Sequence, residues 1–424
     1  MTKKKKKRNA FLDRVGPGFI TGAADDDPSG IGTYAQTGAM FGYAHLWTAF
    51  FSFPFMTAIQ EMCGRIGLVT GNGLAGVVRM NYSRRILFFL VGVLLVTNTI
   101  NIGADLGAMA ATGELLFGIP FPVWLIGITV LTIGLEIFVS YATYAKYLKY
   151  LALTLLAYVA ASFAVKQDWA AVAVATFVPH LTFAKDSLLN VVAVLGTTIS
   201  PYIFFWQADE EAEEEIVQHK IEAIGVGTPH VTHRDVRRLR TDTAVGMFFS
   251  NAIMFFIILT AAATLHAHGI TRIQTASDAA EALRPLAGNF TFVLFALGIM
   301  GTGLLGIPIL SGSAAYAVAE IMQWKSGLSL KLRQARAFYG VIVLATLVGL
   351  LVNFAGIPPF TMLYYTAVLN GIAAPFLMFF IIRIANDRKI MGRHVNSRLS
   401  NVFGWAGTGL MAAACVALLV SALI

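Results

Sequence analysis

The chain has 424 residues, of which 57% are hydrophobic and 13% are charged, and its mean hydropathy is +0.70. This composition excludes a soluble globular protein and indicates a polytopic α-helical membrane protein held in a lipid bilayer. The net charge of +8 does not indicate nucleic-acid binding, because the basic residues lie in short loops and at the N-terminus, as membrane topology requires.

Apolar runs of about 17 to 25 residues predict eleven membrane spans. They cover residues 17–39, 44–68, 86–112, 121–141, 146–165, 188–208, 243–266, 290–320, 337–356, 359–384 and 402–424. With the N-terminus in the cytoplasm, all but four of the 31 basic residues fall on the inner side, the exceptions being Lys166, Lys185, Arg272 and Arg284. The odd number of spans then places the C-terminus outside.

The first span is interrupted by three acids and a proline, at Asp25, Asp26, Asp27 and Pro28. Proline removes a backbone donor and the glycine at Gly30 makes an extended break cheap, so free carbonyl groups are expected beside carboxylates. An acid without a partner inside a membrane is costly and usually serves an ion or proton path. We therefore expect an unpaired Asp27 at a cation site, with Asp26 and Gly30 beside it. A polar loop between two short helices is the alternative from this stretch alone.

The sixth span has a matching interruption at Ser200 and Pro201, within GTTISPYIFFW. Two interrupted spans at corresponding places in two halves of a chain are typical of an inverted-repeat transporter, whose substrate lies at the bilayer midplane where both helices unwind. This pattern adds Thr197, Ser200 and Tyr202 to the candidate site. A pair of proline-kinked helices with no transport role stays open as an alternative.

The repeat predicts five segments of the chain. Residues 1–16 form a basic cytoplasmic tail, and residues 17–165 form a first repeat of five spans. An external loop at 166–187 leads to a second, inverted repeat at 188–384. Residues 385–424 then form a cytoplasmic loop and the eleventh span.

Other acids lie within or directly after the predicted spans. Asp105 in the third span and Glu136 in the fourth either belong to a proton route or are simply paired. The run DEEAEEE, from Asp209 to Glu215, is expected to be a solvated helix face, with an acidic vestibule that concentrates cations as the alternative. No nucleotide loop, nucleophile elbow or coherent catalytic set is found in the sequence, so we expect neither an enzyme nor a cofactor.

Several motifs are shared with one known family. They are GPGFITGAADDDPSG and GRIGLVTGNGLA near the N-terminus, GTGLLGIPILSGSAAYAVAE in the eighth span and APFLMFFIIRIANDRKIMG in the tenth. Over nearly the whole chain these stretches resemble the natural-resistance-associated macrophage protein (NRAMP) divalent-metal transporters. The resemblance implies an all-α, LeuT-like fold of two inverted five-helix repeats plus an eleventh helix, with helices one and six broken, and a divalent cation as substrate.

The chain departs from this family where the metal would be held. The family's Asp-Pro-Gly-Asn is here Asp27-Pro28-Ser29-Gly30, its Met-Pro-His is Ser200-Pro201-Tyr202, and its Asp-Leu-Ala-Glu is Asp105-Leu106-Gly107-Ala108. A serine in place of a methionine leaves an all-oxygen ligand set, which favours Mg²⁺ or Mn²⁺ over softer ions. A phenol in place of the histidine cannot readily relay protons at neutral pH, so weak or no proton coupling is expected.

The combined prediction is an importer of a divalent cation that binds through Asp27 and Ser200, with Asp105 and Asp25 in coupling or gating. Two other functions stay open: a LeuT-fold carrier of a different small solute or anion, and a non-transporting membrane sensor or scaffold. The oligomeric state is left open as well.

Overall fold

The computed structural model describes residues 16–139 and 153–423. Regular structure in these two ranges is helical, apart from one isolated β-bridge between Ala223 and Val226. Nearly all of the predicted basic tail and the first part of the fifth predicted span lie outside the described residues.

We number the helices of eight or more residues in the described ranges in chain order. They are α1 Pro17–Asp25, α2 Pro28–Phe41, α3 Trp47–Thr70, α4 Leu74–Asn81, α5 Arg84–Phe117, α6 Phe121–Phe138, α7 Leu156–Ala164, α8 Trp169–Phe177, α9 Lys185–Thr198, α10 Pro201–Val217, α11 His233–Thr264, α12 Thr291–Met322, α13 Arg336–Val352, α14 Pro359–Asn386 and α15 Arg398–Leu423. Shorter helical turns lie at Gly42–His45, Leu153–Leu155, His266–His268, Ala276–Ala280, Glu281–Leu283, Arg284–Ala287, Gly288–Phe290, Asn353–Ala355 and Arg388–Met391.

Eight helical stretches of the described chain are long and apolar enough to cross a membrane. They are Arg84–Phe117, Phe121–Phe138, Lys185–Val217, His233–His268, Thr291–Met322, Arg336–Ala355, Pro359–Asn386 and Arg398–Ser421. Of the other three predicted spans, the first is divided between α1 and α2, the second corresponds to α3, and the fifth is described only from residue 153. The number of eleven spans stays a prediction.

Both predicted helix breaks are present. The first lies between Asp25 and Pro28, and the second between Thr198 and Pro201. In each case the residue before the proline is extended, with ψ of 174° and 138°, and the proline takes the first helical position, where its missing N–H leaves no hydrogen bond unmade. Each proline therefore begins a second half-helix rather than bending a continuous one.

Helix α11 packs against both halves of the first broken helix, backbone to backbone. A Cβ added at Gly22 in α1 would stand 2.3 Å from the carbonyl oxygen of Gly246, and one at Gly38 in α2 would stand 2.3 Å from that of Ile258. No other side chain has room at these two crossings, so glycine is what permits the close approach.

The N-terminus of α1 is capped by a side chain from α11. The carboxylate of Asp242 accepts hydrogen bonds from the backbone N–H groups of Gly16 (3.0 Å), Gly18 (2.8 Å) and Phe19 (3.3 Å). A carboxylate at this position satisfies donors that have no partner within the helix and interacts favourably with its dipole. The start of α1 is thereby fixed to α11.

Candidate functional site

Asp27 lies between the two breaks and accepts four hydrogen bonds. Its Oδ1 accepts from the hydroxyl of Ser29 (2.6 Å) and the backbone N–H of Gly30 (2.8 Å). Its Oδ2 accepts from Nδ2 of Asn101 on α5 (3.1 Å) and the phenol of Tyr202 on α10 (3.2 Å). A carboxylate has about four acceptor positions, so these donors use all of them. The prediction that Asp27 is unpaired is wrong, because this residue caps α2 and joins it to α5 and α10.

The phenol of Tyr202 has two acceptors within reach. Its oxygen lies 3.2 Å from Oδ2 of Asp27 and 3.2 Å from the backbone carbonyl oxygen of Ala24. A phenol carries one proton and can donate to only one of them at a time. Ala24 lies in the last turn of α1, where carbonyl groups lose their helical partners. Tyr202 can therefore release Asp27 and still keep a hydrogen bond.

Thr197 and Gly30 bring the end of α9 against the start of α2. The hydroxyl oxygen of Thr197 lies 3.5 Å from that of Ser29 and 3.6 Å from the place where a Cβ on Gly30 would stand. The hydroxyl oxygen of Ser200, by contrast, lies 2.7 Å and 2.8 Å from the carbonyl oxygens of Gly196 and Thr197, and its single proton is donated to one or the other. It makes no hydrogen bond to Asp27 within the described residues, so its role as a ligand stays a prediction.

Asp25 and Asp26 share one hydroxyl group from α11. The hydroxyl oxygen of Ser250 lies 2.7 Å from Oδ2 of Asp25 and 3.3 Å from Oδ1 of Asp26. Oδ1 of Asp25 and Oδ2 of Asp26 have no hydrogen-bond partner among the residues that the structure describes. Both side chains are fully buried, so the second oxygen of each carboxylate has no donor among the described residues.

Asp105 lies beside Asp27, and no side chain of the described residues donates a hydrogen bond to it. Neither of its carboxylate oxygens is hydrogen-bonded in the described part of the chain, and its side chain is fully buried. A Cβ added at Gly306 on α12 would stand 3.0 Å from Cβ of Asp27 and 3.9 Å from Oδ2 of Asp105. The absence of a side chain at Gly306 leaves both acids facing the same small space.

The breaks therefore gather four buried carboxylates without a compensating base. The side chains of Asp25, Asp26, Asp27 and Asp105 are all 0% exposed. None of the ion pairs found in residues 16–139 and 153–423 includes any of them. Buried carboxylates without a cation are strongly unfavourable as anions, so this site attracts protons or a cation and repels an anion.

The acids do not form a ready-made chelate. Over the described ranges, no group of three or more His, Cys, Asp or Glu side chains has the geometry to hold a metal ion directly. A cation at the breaks would accordingly keep some of its water or draw the carboxylates together. Ions that dehydrate reluctantly, such as Mg²⁺, commonly bind in the first of these ways.

Three contributors to the site were missed from the sequence: Ser29, Asn101 and Ser250. A signal for Asn101 was present, since Asn98, Asn101 and Asp105 recur at helical spacing in an otherwise apolar span and therefore share one face of α5. Ser29 and Ser250 carry no such pattern.

Outside the site, two expectations can be compared with the structure. Oε1 of Glu136 accepts a hydrogen bond from the hydroxyl of Ser311 (2.8 Å), while its Oε2 has no hydrogen-bond partner in the described residues, so this acid is paired at one oxygen only. The prediction of a solvated acidic face after the sixth span is wrong, because Asp209, Glu211 and Glu215 are only 0%, 6% and 1% exposed. These three acids are covered by neighbouring helices, whereas Glu214 of the same run lies at the surface.

Comparison with known proteins places this geometry in a family. The family model for natural resistance-associated macrophage protein-like (Nramp) proteins matches residues 18–421. A divalent metal cation transporter, MntH, of Deinococcus radiodurans is 27% identical over 401 residues, covering 93% of this chain and 86% of that protein. MntH of Bacillus subtilis is 25% identical over 420 residues, covering 97% of this chain and 92% of that protein.

Solved structures with low sequence identity share the fold. A manganese transporter of Eremococcus coleocola, in complex with an aromatic bis-isothiourea substituted compound, superposes with a TM-score of 0.72 at 17% identity, covering 99% of this chain and 88% of that one. The nucleobase-cation-symport-1 family transporter Mhp1, with bromovinylhydantoin bound, has a TM-score of 0.60 at 13% identity, covering 96% and 92%. These transporters have the LeuT-like fold, which confirms the predicted all-α architecture with two broken helices.

Proposed function

The chain belongs to the natural resistance-associated macrophage protein-like family, and on this premise we propose that it is a secondary transporter that imports a divalent cation. The family consists of transporters rather than enzymes. One observation carries the proposal: four fully buried carboxylates meet at the helix breaks with no basic partner in the described chain. A cation supplies the positive charge that this site lacks.

Asp27 is the residue around which the ion binds. All four of its acceptor positions are used by donors, so a cation has to displace at least one of them. Of these donors, Tyr202 loses the least free energy when it moves away from Asp27, because its phenol can donate to the carbonyl oxygen of Ala24 instead. The free oxygens of Asp26 and Asp105 then complete the negative surroundings of the ion, directly or through water.

We propose that the site prefers Mg²⁺ or Mn²⁺ to softer ions. The side chains that bond to its carboxylates carry hydroxyl, amide or phenol groups, from Ser29, Asn101, Tyr202 and Ser250. Oxygen ligands suit hard ions, whereas a thioether selects softer ones. Ser200 and Thr197 add hydroxyl and carbonyl oxygens at the second break, although Ser200 has first to turn from its own helix end.

Weak or absent proton coupling is part of the same proposal. Tyr202 takes part as a hydrogen-bond donor that has two acceptors, and a phenol does not lose its proton readily at neutral pH. Import would then be driven by the gradient of the ion and by the membrane potential. Asp105 has no hydrogen-bond partner among the described residues, so it is the acid that would carry the proton if transport were coupled after all.

A carrier for another small solute is the second candidate. MhsT, in a crystal structure in complex with L-phenylalanine, shares the fold with a TM-score of 0.55 at 12% identity, covering 96% of this chain and 98% of that one. A likeness at this level concerns the fold alone. The four acids argue against an anion as the substrate.

Thermal unfolding of the purified chain against a panel of divalent ions and organic solutes tests the proposal. A ligand that binds only the folded state raises the melting temperature by mass action. We expect Mg²⁺ and Mn²⁺ to raise it in the unmodified chain and to raise it less in Asp27→Asn, which keeps the shape of the side chain and removes its charge. A response to an organic solute and to none of the ions would favour the second candidate, and no response at all would favour a sensor or scaffold.

We also propose that the protein lies in the cell membrane with its N-terminus in the cytoplasm and its C-terminus outside. The distribution of the basic residues supports this orientation. A tag on the C-terminus should react with an impermeant reagent added to intact cells. Reaction only after the cells are permeabilised would overturn the odd number of spans.

A further inference from the structure

A second pair of buried acids lies further along α10, away from the breaks. Asp209 on α10 and Glu320 near the end of α12 both face the linker that precedes α4. A Cβ added at Gly73 would stand 1.9 Å from Oδ1 of Asp209 and 2.6 Å from Oε1 of Glu320. The two carboxylate oxygens therefore lie close together beside Gly73. A side chain at this position would occupy the space next to both of them.

The two carboxylates differ in their partners. Oε1 of Glu320 accepts from the backbone N–H of Gly73 (2.6 Å) and Oε2 accepts from that of Gly76 (2.8 Å), so Glu320 caps α4. Asp209 is 0% exposed, and neither of its oxygens has a hydrogen-bond partner in the described residues. A carboxylate buried in this way needs a positive ligand or a proton.

The amide oxygen of Asn72 lies on the Glu320 side of the pair. A Cβ added at Gly76 would stand 2.9 Å from Oε1 of Glu320 and 3.3 Å from Oδ1 of Asn72. Two carboxylates and one amide oxygen are a typical partial ligand set for a hard divalent ion, with water filling the remaining positions.

The local charge also favours a cation. Glu210 and Glu213 add to the negative field at Asp209, and Arg79 on α4 offsets part of it at Glu320. Neither Asp209 nor Glu320 belongs to an ion pair found in the described parts of the chain. The group thus has more acidic than basic side chains, and its central carboxylate has no donor.

The position of the pair relates it to the helix breaks. Asp209 follows Tyr202 by seven residues, which is two helical turns, so both side chains lie on the same face of α10. At 1.5 Å per residue, the two positions are about 10 Å apart along the helix. The direction from Tyr202 to Asp209 leads toward the end of α10 that we place on the cytoplasmic side.

We propose that Asp209, Glu320 and the amide oxygen of Asn72 form a second site for a divalent cation, inward of the helix breaks. The inference that the imported ion reaches this second site after the helix breaks rests on the proposed function. Binding of a cation at the pair rests only on the local geometry. Asp209 supplies the unused carboxylate, Glu320 supplies a second oxygen while it continues to cap α4, and water completes the shell.

The test is the number of Mn²⁺ ions that the purified full-length chain binds, measured by calorimetric titration. The variants are Asp209→Asn and Glu320→Gln, which keep side-chain shape and remove charge. The matched control is Glu214→Gln, a residue of the same helix whose carboxylate accepts from Gln218 at the surface (2.9 Å). We expect two Mn²⁺ ions per chain in the unmodified protein and in the control. Asp209→Asn and Glu320→Gln should each lose one site or raise its Kd at least ten-fold, with the other Kd unchanged.

The outcomes separate this inference from the proposed function. Two sites that persist in Asp209→Asn and Glu320→Gln would overturn it. A single site that is lost in Asp27→Asn and unaffected by Asp209→Asn would overturn it while the proposed function stands. An absence of Mn²⁺ binding in the unmodified chain would overturn both.

A measurement on the unmodified chain covers the case in which the variants do not fold. Two Mn²⁺ ions about 10 Å apart, two helical turns along α10, broaden each other's electron paramagnetic resonance spectrum. We expect this broadening at saturating Mn²⁺ and its loss at one equivalent. A saturated spectrum without it would overturn the second site.

Discussion

Replacing Tyr202 by phenylalanine tests the competition between donor and ion at Asp27. The change removes one hydrogen bond and keeps the buried ring. A hydrogen bond to a charged group contributes about 1.5–3 kcal/mol to stability. The phenol lies 3.2 Å from each of two acceptors and serves one at a time, so the lower end of that range applies. We expect a loss of about 1.5 kcal/mol in the free energy of unfolding.

The same substitution should tighten binding of the ion. If a cation has to displace the phenol from Oδ2 of Asp27, removing the phenol beforehand relieves up to the same free energy. Since about 1.4 kcal/mol corresponds to a factor of ten, the Kd for Mn²⁺ should fall by about three- to ten-fold. Calorimetric titration of the purified Tyr202→Phe chain measures the Kd, and thermal unfolding measures the stability.

Tyr34→Phe is the matched control. The phenol of Tyr34 lies 3.2 Å from the hydroxyl oxygen of Thr198 and is as deeply buried, but it makes no hydrogen bond to a carboxylate of the described chain. It should lower stability without changing the Kd for Mn²⁺. If Tyr202→Phe binds Mn²⁺ ten-fold more weakly while Tyr34→Phe binds normally, the phenol is itself a ligand or orients Asp27, and the competition argument is refuted.

Three further predictions concern the same site. Asp27→Ala should abolish Mn²⁺ uptake into proteoliposomes. It should also lower the free energy of unfolding by about 1–2 kcal/mol, because α2 loses its N-cap. Uptake at the unmodified rate would show that Asp27 does not bind the ion. Ser200→Met combined with Gly30→Asn should move competition for uptake toward Cd²⁺ over Mg²⁺, although a Cβ at Gly30 stands 3.1 Å from the carbonyl oxygen of Asp25 and needs a small shift; an unchanged ratio would exclude these positions from selectivity. Proteoliposomes with a pH-sensitive dye inside should show no acidification linked to uptake, and acidification that disappears in Asp105→Asn would show that this acid is enough for proton coupling.

Local chemistry explains which parts of the fold were predictable. Each break is encoded by a proline that follows a polar residue inside an apolar segment, and both prolines begin a half-helix as this pattern requires. Asp27 was predicted to be the central acid for the same reason, because it immediately precedes Pro28. These features depend on neighbours in the sequence.

Contacts between distant residues were not predictable in the same way. Asn101 reaches Asp27 across 74 positions and Ser250 reaches Asp25 across 225, so no local pattern joins them. The run of acids in α10 was predicted to face solvent, because a dense run of charged residues in a sequence is typical of a solvated helix. Asp209 is buried by α4 and α12, two elements whose closeness to α10 is a property of the packed chain.

The cap that Asp242 places on α1 affects how this protein can change shape. Three backbone N–H groups donate to one carboxylate on α11, and hydrogen bonds to charged groups are worth about 1.5–3 kcal/mol each. A movement that swings α1 away from α11 has to break them together, whereas one in which both helices tilt as a unit leaves them intact. The inexpensive hinge then lies at Asp26 and Asp27, where the chain is already unwound, so the residues proposed to meet the ion are also those about which α1 would pivot.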